Sequence, residues 1–583
     1  MNRFALVTLL TLWVVIGPAC TGASQFGWSD DEPSPTADPA STSAVLSRTQ
    51  LAETQSLAFR DTIAAMTYLE GRRMMRVQGY GIVAGLGEKG SSECPKNIRD
   101  LLIGQMEKRY AIGLPSGLSA LAPEDLIDSR DTAVVRVVGE MPAAATKGTR
   151  FDIEVSTLPR SQTVSLAGGR LYTCDLNLVG SVGSGPARRG KLLARAFGPI
   201  FVNPFNDDEK GGPIATGRVL GGGVTLEPRR LRLKLVDGSY ERAYRITDRI
   251  NERFGHDPDT AEAISPYAIQ LRVPDAYQGR GPEFLDLLQH LYLNPDESFA
   301  SKRATLLARE ILEPDAPHLR ISLAWECMGR TVLPTVQSLY THPRPHARFF
   351  AARTGLRLGD ELAVDVLASF AKDMQSEFAK PAITVLGESE PMFQATDALK
   401  VLLDHEDPRV RVAAYEAIRG RYGSGITSKK VGTDNFTLDV VVSRGPGLIY
   451  ARQEAEARLA IFGPDLACTP PVFYAHPDRV VLINADETDT HLTVVRRTRF
   501  HNLVSPSMPV SFAVADLVRK LGDDPTGDTD EERGLALSYD QVLRILHTFC
   551  TKETVIAKFI FDSPSITDVF GPIKPQGRPE TDL

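Results

Sequence analysis

Apolar positions along the chain follow different rhythms in different stretches. Residues 133–138 (AVVRVV) form a β-branched run, and Phe151, Ile153 and Val155 alternate with polar neighbours, the period-two pattern of a half-buried strand. A turn-forming link between Pro142 and Gly148 separates the two. Farther on, Ala243, Ile246 and Ile250 share one face of a helix predicted to begin near Tyr240, with Gly255 placed to cap its end. A strand predicted from Ala268 to Val273 stops at Pro274, so the region from about Leu57 to Pro274 reads as mixed α and β.

Beyond Arg280 the pattern changes to short amphipathic helices carrying a six-residue box. The boxes LRISLA, ARFFAA, FAKPAI and VRVAAY begin at residues 319, 347, 378 and 410. Their small residues would let neighbouring helices approach closely, and the basic residue is expected on the polar side. The pattern resembles short HEAT-type repeats, most clearly at Asp407-Pro408-Arg409-Val410-Arg411, where Asp407 can cap a helix that Pro408 starts. From about Ser424 strands return. Phe436, Leu438, Val440 and Val442 alternate, residues 444–447 (RGPG) supply a turn, and Val480 to Ile483 and Leu492 to Val495 suggest further strands. This last stretch reads as a separate α/β module.

The N-terminus carries a different signal. Arg3 precedes an apolar run, Phe4 to Ile16, which ends at Gly17-Pro18-Ala19-Cys20. Such a run is too short to span a bilayer and matches an export signal. Small residues before Cys20 resemble a lipobox, which makes Cys20 the lipidation candidate; lipidation and ordinary cleavage both stay open. From Thr21 to about Gln55 the composition is Ser, Thr, Pro, Asp and Ala, which cannot build a core and predicts a tether.

The chain has 583 residues, enough for several domains, with 42% hydrophobic and 24% charged residues, close to globular averages. Its formal net charge of -7 gives no general footprint for nucleic acid, and no nucleic-acid partner is expected. None of the six cysteines lies in a CxxC pair, so zinc and thioredoxin-type readings are weak. In an oxidising compartment Cys94 with Cys174, and Cys468 with Cys550, are the couples that could pair; unpaired buried thiols are the alternative.

Residues 85–90 (GLGEKG) spell a GxGxxG, but the following helix is predicted to begin only at Pro95, so the tight strand-turn-helix join of a dinucleotide site is missing. His342 and His346 are the only close histidine pair, and Pro343 and Pro345 break the face they would share. The acidic run from Asp523 to Glu532 lacks EF-hand order. No GxSxG, HExxH or P-loop occurs. No catalytic, cofactor-binding or metal-ligating residue is therefore assigned, and no cofactor is expected.

One constellation stands above this background. Residues 77–86 (VQGYGIVAGL), 133–137 with Met141-Pro142, 147–156 (KGTRFDIEVS), 165–171 (SLAGGRL), 216–219 (TGRV) with Gly221 to Val224 and Glu227, 243–255 (AYRITDRINERFG) and 269–274 follow one another in a family's order. Together they resemble the flagellar basal-body P-ring protein family, from about Leu57 to at most His290. Gly79, Tyr80, Gly81, Gly85, Gly168, Gly169, Gly217 and Arg218 carry the motif and are expected to specify fold and assembly. The resemblance implies a noncatalytic periplasmic protein that assembles with copies of itself into a ring around the flagellar rod, next to the L-ring proteins and peptidoglycan, and supports rotation. With a lipidated Cys20 the protein would be anchored to the outer membrane.

The expected architecture is α+β and multidomain: a signal peptide (1–19), a linker (20–56), a P-ring-like mixed α/β domain (57–279), HEAT-like helical repeats with an unknown protein partner (280–423) and a C-terminal α/β domain (424–583). The lipobox, the repeats and the C-terminal module depart from the family pattern. They leave open a second reading, a P-ring-derived lipoprotein adaptor or scaffold of another envelope complex.

Overall fold

A computed structural model describes residues 57–111, 122–178, 190–205, 216–373, 375–476, 481–497, 505–525 and 534–561. The signal, the tether and Cys20 lie outside the described residues. So does part of the acidic run, of which Asp523 and Asp524 accept backbone N–H groups from Gly432 and Thr433.

After a one-turn helix α1 (Ile63–Met66) and strand β1 (Thr67–Glu70), the chain enters a barrel. Its first strand is β2 (Met75–Ala84); helices α2 (Lys96–Ala111) and α3 (Pro123–Asp128) follow, then β3 (Thr132–Met141), β4 (Arg150–Thr157), β5 (Arg170–Leu178), β6 (Leu192–Pro199) and β7 (Thr216–Thr225). The closed order is β2-β3-β4-β7-β6-β5, antiparallel throughout. Phe151, Ile153 and Val155 point into the core, as their alternation predicts, and Asp152 and Glu154 point out. Helices α2 and α3 cover one outer side, where Ile98, Leu102 and Ile127 pack on Ile82 and Val134.

A second sheet combines β1 with β8 (Leu231–Leu235), β9 (Ala261–Ser265) and β10 (Ala268–Leu271) in the order β1-β8-β10-β9. Helix α4 (Tyr240–Phe254), between β8 and β9, lays Ala243, Ile246 and Ile250 on this sheet. Ser239 caps its start by accepting the Arg242 N–H, and Gly255 at φ 121° ends it. The predicted helix and its cap are both present. This core takes in Phe284, Leu285 and Leu288 of α5 (Gly281–His290) and continues past α6 (Glu297–Glu310) to Leu323 and Cys327 of α7 (His318–Met328). No apolar break falls at residue 280.

The helices continue as α8 (Leu333–Gln337), α9 (Pro345–Arg357), α10 (Leu362–Lys372), α11 (Ala379–Glu388), α12 (Phe393–Leu402) and α13 (Pro408–Ile418). The four boxes fall at the starts of α7, α9, α11 and α13, which pack successively in one row, while α8, α10 and α12 lie against that row, α10 and α12 also in contact with each other. Gly387 shows why small residues recur here: a Cβ on it would lie 2.6 Å from the Ala417 Cβ.

The basic residue of the box departs from expectation. Lys380 is exposed, but Arg411 is buried, and the guanidinium groups of Arg320, Arg348 and Arg411 lie 4.6, 4.8 and 5.0 Å from the rings of Phe59, Phe370 and Phe462. A flat cation whose stem is apolar can be covered by an aromatic face, so residue polarity alone misplaces it. Pro345 starts α9, which leaves His342 before the helix and His346 in its first turn; the two do not share a face.

Among the described residues, two sheets and two helices follow: β11 (Ile426–Val431), β12 (Phe436–Val441), β13 (Leu448–Ala451), β14 (Arg458–Phe462), β15 (Val472–Ala475), β16 (Val481–Ala485), β17 (Leu492–Arg496), β18 (Met508–Val510), α14 (Val514–Gly522), α15 (Tyr539–Thr551) and β19 (Lys558–Ile560). The orders are β11-β12-β14-β13-β19 and β15-β16-β17-β18. The larger sheet is covered on both faces. Phe436, Leu438 and Leu459 share a core with α14 and α15, while Val441, Tyr450 and Phe462 share one with the helical array. Two-sided burial replaces the expected alternation in β12: Asp439 and Val441 are buried, Val440 is half-buried and Val442, beyond the strand end, is exposed.

All five described cysteines are free, so neither Cys94–Cys174 nor Cys468–Cys550 is joined. Cys174 lies in the barrel wall and donates its S–H to the Tyr80 carbonyl at 3.1 Å, whereas the nearest acceptor of Cys94 is its neighbour Pro95. No helix among the described residues is long and apolar enough to cross a membrane.

Candidate assembly surface on the barrel

The motif glycines gather at the seam where β5 closes the barrel onto β2. Pairing there runs Val77↔Leu178 and Gln78↔Asn177, loses register, and resumes at Val83↔Leu171. At the irregular crossing a Cβ on Gly79 would stand 2.2 Å from the Asp175 carbonyl oxygen, and one on Gly81 2.9 Å from the Leu171 Cδ1. The strands meet this closely because neither residue has a side chain. Tyr80, between them, points outward and packs half-buried beside Ile82 under α2.

Gly85 (φ 81°) and Gly168 (φ 76°) hold left-handed turns at the end of the same seam, with the Gly168 carbonyl 3.9 Å from where a Gly85 Cβ would be. Gly169 has no room for a side chain, since its Cβ would lie 2.5 Å from the Val83 Cγ1. Three amides of the GxGxxG stretch are already bonded to the segment before β3. Leu86 N–H donates to the Asp131 carbonyl (3.0 Å), Gly87 N–H to the Asp131 carboxylate (2.7 Å) and Gly90 N–H to the Arg130 carbonyl (3.0 Å). With α2 beginning at Lys96, the stretch is a turn locked onto the start of β3, and its N–H groups do not converge on a phosphate.

Gly217 and Arg218 lie apart from this group, on β7, three strands from β2 in the closed order. A Cβ on Gly217 would be 2.6 Å from the Ile200 Cγ2. Arg218 exchanges backbone hydrogen bonds with Phe201, and its Nη2 donates to Asp152 Oδ2 at 2.9 Å. Asp152 Oδ1 also accepts the Gly221 N–H at 2.7 Å. Between Phe151↔Gly223 and Ile153↔Val219 the register shifts, so Leu220–Gly222 bulge out of β7 opposite Asp152.

The chemistry of this surface is that of packing and hydrogen bonding. Burial pushes the Cys94 thiol up and, with the neighbouring Cys550 charge, takes Cys468 up to about 12, the opposite of an activated thiolate. Among the described residues no group of three or more His, Cys, Asp or Glu could hold a metal.

Two contributors, Asp152 and Asp131, were not singled out by the sequence, and a third, Cys174, was read only as a disulfide candidate. Asp152 had a legible signal, being the outward residue between Phe151 and Ile153, but its partners come from a bulge that no local pattern announces. Cys174 and Asp131 act through contacts to β2 and to the turn after it, 94 and 44 residues away in sequence.

Residues 62–301 match the family model described as flagellar P-ring protein, which bears out the resemblance drawn from the motifs. Similar proteins include the flagellar P-ring protein of Geobacter sulfurreducens, 29% identical over 256 residues, covering 41% of this chain and 63% of the relative. Flagellar P-ring protein 1 of Bradyrhizobium diazoefficiens is 28% identical over 266 residues, 43% of this chain and 65% of the relative. The Thermotoga petrophila flagellar P-ring protein is 29% identical over 266 residues, 43% and 73% respectively. The chain thus spans less than two thirds of the length of the first two of these relatives.

Proposed function

We propose that the match over residues 62–301 makes this protein a noncatalytic structural subunit of the bacterial flagellar basal body, forming the P-ring around the rod in the periplasm. The observation that carries the reading is that the matched residues take in the whole barrel, the β1-β8-β10-β9 sheet with α4, and α5. The partners are then further copies of the chain, the rod and L-ring proteins, and peptidoglycan. Weak contacts repeated around a closed ring give avidity without one strong interface.

The HEAT-like array and the C-terminal module lie beyond the match, and we assign them to recruitment of a further protein. The packed array of α7 to α13 supports that role, because stacked helix pairs present an extended surface. Deleting the gene and restoring it tests the reading. Loss of the periplasmic ring and of swimming in the deletion, both restored by the intact gene, is the expected result. Intact rings and normal swimming without the protein would favour a lipoprotein adaptor that kept the P-ring fold for another envelope complex.

A further inference from the structure

Besides an exposed ion pair of Arg170 on β5 with Asp434 (3.3 Å), the barrel touches the C-terminal module at two places, and one residue of that module serves both. The first is apolar. Phe201 and Phe205, just after β6, leave the barrel and enter the core built by α14, α15 and the larger sheet, where Phe201 is 7% exposed. The Phe201 ring lies 5.8 Å from Tyr539 and 6.1 Å from Phe561, and Phe205 lies 4.6 Å from His547 and 4.7 Å from Phe561. Asn203 sets the turn between them by accepting the Phe205 N–H on its side chain.

The second place is polar. The β7 bulge carries Leu220 against the same core and brings Gly221 to the loop between β13 and β14. Ala455 of that loop donates its N–H to both oxygens of Asp152, at 2.9 and 3.1 Å, beside the Arg218 and Gly221 donors. Ala455 has φ 62° and Gly221 φ 58°, and a Cβ on Gly221 would lie 2.0 Å from the Ala455 carbonyl oxygen. Both backbones are therefore held in a conformation unusual for a side-chain-bearing residue in order to meet.

Tyr539 links the two. Its ring packs on Phe201, while its hydroxyl donates to the carbonyls of Arg452 and Arg458, the two ends of the loop that presents Ala455. Gln453 adds a bond from the loop to the Phe561 carbonyl, beside the rings that hold Phe205. An aromatic anchor and a carboxylate latch are thus organised by one helix.

We propose that the C-terminal module is an intramolecular clamp that grips the barrel at Phe201, Phe205 and Asp152 and fixes its orientation on the helical array. The array supplies the other fixed point, since Arg411 of α13 donates to the Pro446 carbonyl and to Ser443 in the loop between β12 and β13. Apart from the clamp, the barrel meets the β1-β8-β10-β9 sheet through the short links around residues 71–74 and 226–230 and through Ala144, which packs in that sheet's core beside Gly281, so without the clamp it is left one narrow attachment on which to tilt. The clamp does not depend on ring formation.

Spin labels at the exposed positions Val164 on the barrel and Leu362 on the array, in the full chain, give the test. The wild type is expected to show one narrow distance distribution. The Phe205→Ala/Asp152→Asn double variant is expected to show a broad one, with proteolysis at 226–230 about tenfold faster, as for a segment whose local opening is eased. Tyr539→Phe keeps the ring in place and removes only the two loop bonds. It is expected to broaden the distribution in part, and it decides the matter if the double variant does not fold. Unchanged distances and cleavage in variants with wild-type circular dichroism would overturn the clamp. So would label pairs split between copies that report the barrel of one chain seated in the module of another.

Discussion

Tyr415 on α13 donates its hydroxyl to the carboxylate of Asp439 on β12, and both residues are fully buried between the helical array and the C-terminal sheet. Arg458 Nη1 reaches the same carboxylate oxygen at 2.8 Å, and Asp439's charge joins burial in pushing the Tyr415 hydroxyl far above its usual range. Asp439→Ala leaves the buried Tyr415 hydroxyl without its acceptor and takes from the partly buried Arg458 one of its two carboxylate partners, Glu456 being the other, and is expected to cost about 3 kcal/mol. Tyr415→Phe removes one bond and should cost about 1–3 kcal/mol. Urea unfolding of the two variants checks the order; equal losses would mean that the pair carries no special weight.

The glycines of the barrel seam should not be equally sensitive. Gly79→Ala drives a methyl group into a backbone carbonyl that the β5 ladder holds, and about 3 kcal/mol or more is expected. Gly81→Ala meets the end of the Leu171 side chain, which can turn aside, and the Cys174 Cβ at 3.1 Å, which need give by only a few tenths of an ångström, so a smaller loss follows. At Gly85 a Cβ would make only an ordinary 3.9 Å contact with the Gly168 carbonyl oxygen, and only the positive φ is strained, at about 1 kcal/mol. Thermal unfolding of the three variants should rank them Gly79, Gly81, Gly85 from most to least damaging.

A pH dependence follows from His290. Burial takes its pKa down to about 4, against the pull of its Nδ1 bond to the Asp286 carbonyl, and Arg320, Arg72 and Arg353 add to the lowering. The folded protein therefore keeps this imidazole neutral while the unfolded chain binds a proton near pH 6.5. Stability from this site is complete above about 6.5, falls as the pH drops and is gone near 4, a difference of roughly 3 kcal/mol. Burial raises the Asp286 carboxyl, which acts in the opposite sense at the lower end of this window. His290→Gln should flatten the dependence between pH 7 and 5 in denaturant titrations; an unchanged slope would place its origin elsewhere.

The lipobox reading of Cys20 is tested by fractionation. Cys20→Ser should release the protein from the membrane fraction, because no helix among the described residues offers a spanning anchor. Unchanged fractionation and a mature N-terminus without lipid would sink that reading.

What was legible in the sequence had a local cause. The strand of Phe151, Ile153 and Val155, the helix of Ala243, Ile246 and Ile250 with its Gly255 end, and the helix starts at the four boxes each follow from spacing and caps within a few residues. What was missed depends on distant surfaces. Asp439 is buried because a helix row covers the sheet face that an isolated module would leave to water. Arg411 goes inside because Phe462 and three acceptor groups wait for it, none closer than eight residues in sequence. At the candidate site, the need for glycine at 79 and 81 was legible, but the close approach of β5 that requires it was not.

The proposed place of this protein in the periplasmic ring around the flagellar rod is tested by electron microscopy of basal bodies isolated from the bacterium that makes it, with the protein tagged and gold-labelled. The expected result is label encircling the rod at the level of the periplasmic ring, and loss of both ring and label in the deletion strain. An intact ring that carries no label, with the protein recovered in a different envelope complex, would contradict it.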